Sequence, residues 1–312
     1  MQKILIYEYI TGGGLINEEL YSPLLIEAKK ISDFIIDEFS SSEKYHVEYF
    51  CDHRIKPNKK CKSIKITNES QLYDKRVLSR FDLILPIMPE EDFKLYSYCE
   101  FLQLNNYPTL ISDYKTIGIT SDKYKFFEHC LTYNIPTIQT YLENVPDSNS
   151  ENIYIEKDRY GVGCSHVKKI NGHSCDNNSD YLYQPFIDGE HFSTCVVFGR
   201  KDFKILTINK QNIKYDSDNN IHLSSLKVNV KFDKFLCLYE IVMRIHYSLP
   251  SLYGYIGIDF ILHENNILIV EINPRLTTSF TGIPHSIGIN IANRNLLMSK
   301  QIFNPKSTTI NL

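Results

Sequence analysis

Residues 255–278 read YIGIDFILHENNILIVEINPRLTT, and the alternation of side chains along them decides how the chain is built. Neighbouring residues of a strand point to opposite faces. Ile256, Ile258, Phe260 and Leu262, followed by Leu268, Val270 and Ile272, are all apolar, which marks the core face of a hairpin. The other face carries Gly257, Asp259 and Ile261, then Ile267, Ile269, Glu271 and Asn273. A one-residue slip sends a whole strand to the wrong face, so the core faces coincide only with Asp259 opposite Glu271. That register predicts a three-residue loop, Glu264, Asn265 and Asn266, with Asn266 left-handed. It also places Gly257 opposite Asn273, adding no bulk beside the polar cluster. An ordinary solvated hairpin face would set two carboxylates against each other with no compensation. Three hard oxygen ligands with Arg275 just beyond them suit a triphosphate and its magnesium ions instead.

The rest of the composition narrows the class. The chain has 312 residues, enough for two or three small domains with real cores. A formal charge of −3 and a pI near 6.4 give no reason to expect nucleic acid or an anionic membrane as partner. No apolar run approaches the ~20 residues that span a bilayer. The N-terminus enters the strand ILIYEYI without a cleavable signal pattern, which predicts a cytoplasmic location. The eight cysteines form no C-x-x-C pair and no zinc spacing, as expected of free thiols in a reducing compartment.

Upstream, residues 3–10 read as a buried strand closed by the glycine turn at 11–14. A helix is predicted over 17–39, with Leu20, Leu24, Ile26, Ala28, Ile31, Phe34 and Ile35 as its apolar stripe. Strands at 45–50, 63–66 and 81–88 and a helix over 90–104 complete a small parallel α/β unit. A helix capped by Thr120 or Ser121 runs to about residue 133. Short strands follow at 137–142, 152–158, 165–170 and 181–187, then at 191–199 and 203–209. A helix around 232–247 precedes the hairpin, and a last helix starts near 289. There is no internal repeat.

Lys157 closes a strand and is followed by a loop bearing Gly161 and Gly163, an arrangement that folds over phosphates through backbone N–H groups and an ammonium. Glycine turns between strands are also ordinary. No G-x-x-x-x-G-K-[ST] occurs, so this is not a P-loop. The segment 183–191, YQPFIDGEH, offers backbone groups to an adenine edge, with Gln184 and His191 as side-chain contacts.

Taken in order, Asp122-Lys123, Lys157 with Gly161 and Gly163, Q-P-F-I-D-G-E-H at 184–191, G-I-D-F at 257–260 and E-I-N-P-R at 271–275 resemble the ATP-grasp superfamily over roughly residues 118–300. The resemblance implies an α/β (α+β) chain with the ATP-grasp fold. Its three parts would be a Rossmann-like pre-ATP-grasp domain (1–115), a central subdomain with lid and glycine loop (116–188), and a C-terminal subdomain with the metal-binding hairpin (189–312). It further implies that Lys123 and Lys157 hold ATP phosphates, while Gln184 and the backbone at Phe186 and Ile187 form the adenine hinge. Asp259, Glu271 and Asn273 would bind two magnesium ions, manganese being an acceptable replacement, and Arg275 and Lys157 would serve catalysis. Gln184 and His191 stand where many members have Glu, which bears on nucleotide preference. ILIYEYITGGG at 4–14 and LPIMPEEDF at 85–93 are similar to the archaeal-type subfamily that contains tyramine–glutamate ligases.

The activity implied is an ATP-dependent C–N ligase. A carboxylate attacks the γ-phosphorus to give an acyl phosphate, and an amine then displaces phosphate. The substrates would be a small carboxylic acid such as glutamate and an amine, handled by a monomer or homodimer. Ligands of open parallel sheets sit at the carboxyl ends of the strands, where Glu8, Gly12, Gly13 and Glu90 would meet the acceptor. Glu90 has a second reading, as an acid favoured at a helix start. Thr277 and Thr278 would donate to the acyl phosphate, or simply form a hydroxyl-rich turn.

Three rival readings exist. A dinucleotide oxidoreductase fails because Asn17 stands where the third glycine belongs and Asp52 lies too far along. A silent nucleotide-binding regulatory subunit fits poorly with a full ligand set. A dipeptide-forming ligase stays open, since no residue names the accepted side chain.

Overall fold

The computed structural model describes residues 1–143, 145–146, 152–161, 166–172, 180–293 and 306–312. Four parallel strands, β1 (Gln2–Glu8), β2 (Tyr45–Asp52), β3 (Lys62–Ile66) and β4 (Leu83–Ile87), form the first sheet in the order β3-β2-β1-β4. β1 is buried on both faces, as parallel strands are. Its Ile4 and Ile6 pack with Ile35, Ile36 and Phe39 of α1 (Ser22–Ser40), while Leu5 and Tyr7 pack towards residues 94–104 on the other side. The first of these cores continues into Tyr255, Leu276, Phe280 and Ile283, so the N-terminal sheet and the C-terminal half share one hydrophobic interior.

Beyond α2 (Lys75–Leu78) and β4, the expected helix over 90–104 is broken. Asp92 and Phe93 adopt left-handed φ values of 52° and 57°, so α3 begins at Lys94 and runs to Leu104. α1 likewise starts at Ser22 rather than near 17, because Pro23 suits a first turn. Leu24 and Ile26 of the predicted stripe remain 52% and 58% exposed. A short α4 (Tyr114–Thr120) precedes α5 (Lys123–Thr132). The cap of α5 is Asp122, not Thr120 or Ser121: its carboxylate accepts from the N–H groups of Tyr124 and Lys125.

The second sheet is antiparallel, with β6 (Val167–Asn171) and β7 (Tyr181–Pro185) flanking β5 (Ile153–Asp158). Residues 137–142 join no strand and make only single bridges, Thr137 to Ile269 and Tyr141 to Tyr183. The third sheet, also antiparallel, comprises β8 (Glu190–Phe198), β9 (Phe203–Tyr215), β10 (Ile221–Val228), β11 (Gly254–His263), β12 (Asn266–Asn273) and β13 (Thr308–Asn311), in the order β12-β11-β8-β9-β10-β13. β10 and β13 were not anticipated, and β9 runs six residues past its expected end at 209. α6 (Phe235–Ser248) covers one face through Leu238, Ile241, Val242 and Ile245, which meet Ile256, Ile258 and Phe260 of β11. A short α7 (Ile283–Ile287) follows the hairpin. Residues 289–293 are not helical, and the rest of the helix expected there lies outside the described residues.

In the hairpin, Asp259 pairs with Glu271 and Gly257 with Asn273, as the parity argument requires. The loop differs. Glu264 and Asn265 alone make the turn, both left-handed (φ 47° and 68°), and Asn266 belongs to the strand. The register compensates with a bulge at Val270, between the pairs Phe260–Ile269 and Asp259–Glu271. Parity therefore flips beyond the bulge. Ile267 and Ile269, not Leu268 and Val270, join the core. Among the described residues no helix is long and apolar enough to cross a membrane.

Candidate active site

The hairpin carboxylates lie where two cavities meet. The first opens between the second and third sheets, and Lys123, Lys157, Gly161, Gln184 and His191 line it together with Asp259 and Glu271. Phe186 and Ile187 are on its wall, with apolar Ile138, Ile155, Ile213 and Ile261 supplying a surface suited to a flat ring. Gly163 lies outside the described residues. The second cavity opens between the carboxyl ends of β1 and β4, the start of α1 and the segment after the hairpin. Glu8, Arg275, Thr277 and Thr278 line it, again with Asp259 and Glu271.

Each polar group is held by its surroundings. Asp259 accepts from Gln211 Nε2 on Oδ1 (3.0 Å) and from Asn273 Nδ2 on Oδ2 (3.0 Å). Its carboxyl is pushed up to about 8, first by burial and then by the charge of Glu271 beside it. A buried carboxyl whose ionisation is opposed by a second carboxylate beside it, with an amide next to them, is part of a donor set that a divalent cation would relieve. Among the described residues no group of three or more His, Cys, Asp or Glu offers an alternative metal site. A Cβ on Gly257 would come within 2.7 Å of Thr277 Cγ2, so only glycine lets that segment close against the hairpin.

Lys123 sits at the start of α5, its Nζ bonded to the carbonyl of Gly161 and 3.9 Å from Glu271 Oε2. Its backbone N–H reaches the carbonyl of Arg159. Arg159 in turn makes two 2.8 Å bonds to the carboxylate of Asp122. Burial opposes the charge on Asp122, yet those bonds hold its carboxyl below the usual range. Residues 159–161 are thus moored to the helix that carries Lys123. Lys157 is buried on β5. Gln184 Nε2 donates to Thr140 Oγ1 (2.8 Å), and burial holds the His191 imidazole below its ordinary pKa.

On the other side, Glu8 accepts from the N–H and hydroxyl of Thr11 (2.7 and 2.6 Å) and from the N–H of Ile10 (3.2 Å). Burial nevertheless pushes its carboxyl up to about 7. Arg275 places Nε and Nη2 at 3.0 and 2.9 Å from a single oxygen of Glu90. Glu90 is buried and does not line the cleft; it stands behind Arg275. Thr278 donates to Glu27 (2.8 Å). Gly12 and Gly13 also stay off the cleft. A Cβ on either would collide with Tyr7 or with Ile66, and Gly13 has a φ of +97°, so they shape the turn rather than a binding surface. Gln211 and Arg159 escaped the sequence reading, and Asp122 was read there only as part of a motif, not as the cap of α5 that Arg159 holds. Gln211 lies on the polar, weakly alternating end of β9, where no strand signal remains.

The ATP-grasp domain family matches residues 120–279. The tyramine–L-glutamate ligase of Methanocaldococcus fervens is 25% identical over 289 residues, covering 90% of this chain and 89% of the relative. That of Methanocaldococcus jannaschii is 26% identical, covering 91% and 85%. An ATP-grasp superfamily protein from Archaeoglobus fulgidus superposes with a TM-score of 0.79 at 22% identity, over 100% of this chain and 92% of the other. L-amino acid ligase from Bacillus licheniformis does so with a TM-score of 0.64 at 12% identity, over 96% and 73%.

Proposed function

Since the chain belongs to the ATP-grasp family, we propose that it is an ATP-dependent carboxylate–amine ligase built from the three units 1–115, 116–188 and 189–312. The observation that carries this reading is the shared position of Asp259 and Glu271, which line a lysine-bearing cavity on one side and the Arg275 cleft on the other. A triphosphate in the first cavity would end at the carboxylates, and an acid in the second would approach the same point.

Lys123 and Lys157 neutralise phosphate charge, while Gln184, His191 and the backbone at Phe186 and Ile187 hold the nucleoside. Magnesium ions at Asp259, Glu271 and Asn273 would supply the remaining positive charge. The substrate carboxylate attacks the γ-phosphorus, the bond to the β-γ bridging oxygen breaks, and ADP leaves. Arg275, held in place by Glu90, steadies the negative charge that develops on the transferring group. An amine then attacks the acyl carbon, forming the C–N bond as phosphate departs with the electrons of the broken C–O bond. Thr277 offers a hydroxyl beside that centre, and Thr278 could do so only by giving up its bond to Glu27.

The two archaeal relatives suggest glutamate as donor and tyramine as acceptor. The test is ADP and phosphate release with magnesium across carboxylate–amine pairs, beginning with that pair. Release that requires both organic substrates is expected; none with any pair would overturn the reading. On the nucleotide side, Asp122→Ala removes a helix cap worth about 1 kcal/mol and frees Arg159. Initial rates against ATP should then show a raised KM for ATP with kcat near wild type, because the mooring of residues 159–161 to the helix of Lys123 is lost while the Arg275 cleft is untouched.

A further inference from the structure

Within the proposed ligase reaction, on which this inference rests, the geometry points to Glu8 as the group that takes the proton from the attacking amine. An amine of ordinary basicity reaches the site as an ammonium, which has no lone pair for attack. Some group in the acceptor cleft must remove that proton.

The side chains around the cleft leave one candidate. Among the described residues that line it, the titratable side chains are Glu8, Glu27, Asp259, Glu271 and Arg275. Asp259 and Glu271 also face the nucleotide cavity and are assigned to cations. Glu27 is exposed and bonded to Thr278. Arg275 carries no acceptor lone pair, and Glu90, its partner, does not line the cleft. Glu8 remains, buried at the carboxyl end of β1 beside the end of β4.

Its hydrogen bonding suits the task. A carboxylate offers about four lone-pair sites. Oε2 takes two bonds from Thr11, and Oε1 takes one from Ile10, so Oε1 keeps a site for a ligand. The three donors fix the group in one orientation. The burial that raises its proton affinity makes it a better base than a solvated carboxylate. The neighbouring wall of Leu24, Ala28, Ile31 and Met88 is apolar and would carry the rest of the amine.

In the step itself, R–NH3⁺ passes one proton to Glu8 Oε1 and becomes R–NH2. The nitrogen lone pair forms the C–N bond, the C–O bond to phosphate breaks with its electron pair leaving on phosphate, and the second N–H proton is lost to water or to the departing phosphate.

Hydroxylamine separates this role from a structural one, because it is already neutral at pH 7 and needs no base to attack an acyl phosphate. With ATP, magnesium and glutamate, Glu8→Gln should lower amide formation with tyramine by about 100-fold or more. Hydroxamate formation with hydroxylamine should stay near the wild-type rate. Thr11→Val, which removes one of the three bonds that orient Glu8 but keeps the carboxylate, should lower amide formation far less than Glu8→Gln does. Equal loss of amide and hydroxamate in Glu8→Gln, or loss of amide in Thr11→Val as large as in Glu8→Gln, would show that Glu8 only holds the turn. Unchanged amide formation in Glu8→Gln would overturn the role outright while leaving the ligase reading intact. A wild-type chain that makes neither product from any donor would overturn the ligase reading and this role with it.

Discussion

Glu271→Gln is expected to lower kcat by about 100–1000-fold, the loss typical of removing one charge-stabilising group from a preorganised site, without unfolding the chain. The amide has the volume of the carboxylate and keeps an acceptor oxygen. What disappears is the second negative charge opposite Asp259, and with it the attraction for divalent cations. The fold should tolerate the change because that charge is a burden to the metal-free protein. The Asp259 carboxyl is raised from 3.8 to about 8 by burial and by Glu271. Between those two values the folded chain holds a proton that the unfolded chain gives up. Stability of the magnesium-free wild type should therefore fall as pH rises through that window. Glu271→Gln should flatten the slope. Magnesium, which competes with the proton and binds the folded chain, should raise the wild-type melting temperature, and the variant should lose that response. Thermal melts across pH with and without magnesium, beside steady-state rates, check all of this. Wild-type turnover in the variant would remove Glu271 from the metal set.

The hairpin register was legible because residues 256–260 are asymmetric: three buried apolar side chains alternate with Gly257 and Asp259. The loop was not, because Ile267, Leu268, Ile269 and Val270 are apolar on both faces and parity carries no information there. The preference for a tight two-residue turn then decided the geometry, and the bulge absorbed the mismatch. β10 escaped notice for a related reason. Its sequence IHLSSLKV puts two serines in mid-strand, and its pairing with β9 shifts register between Leu223 and Ser225. The cap of α5 lies one or two residues beyond the expected position because Thr120, Ser121 and Asp122 are all good caps. The two bonds from Arg159, just past the end of β5, distinguish Asp122. Local patterns thus located the chemistry on each element. Contacts between elements distant in sequence, such as Gln211 with Asp259, needed the fold.

Arg275 and Glu90, 185 residues apart, are the contact of that kind with the largest predicted consequence. Arg275→Ala should lower kcat by about 100–1000-fold. KM for ATP should change little, because Arg275 lines the acceptor cleft and not the nucleotide cavity. Glu90 touches neither cavity, so its effect must pass through Arg275. Glu90→Ala should approach the kcat loss of Arg275→Ala, and the double variant should be no worse than Arg275→Ala alone, as expected when two residues act as one unit. Stability distinguishes the two singles. Glu90 is 5% exposed, and its Oε1 has no partner among the described residues, whereas the Arg275 side chain is 17% exposed and can reach water more readily. Arg275→Ala strands the more deeply buried charge and should cost the larger share of the ~3–5 kcal/mol typical of a broken buried pair. Glu90→Gln, which retains an acceptor for the guanidinium, should recover part of the kcat lost in Glu90→Ala. Additive losses in the double variant would mean that Glu90 acts independently of Arg275. Wild-type kcat in Glu90→Ala would mean that Arg275 needs no support from the N-terminal sheet.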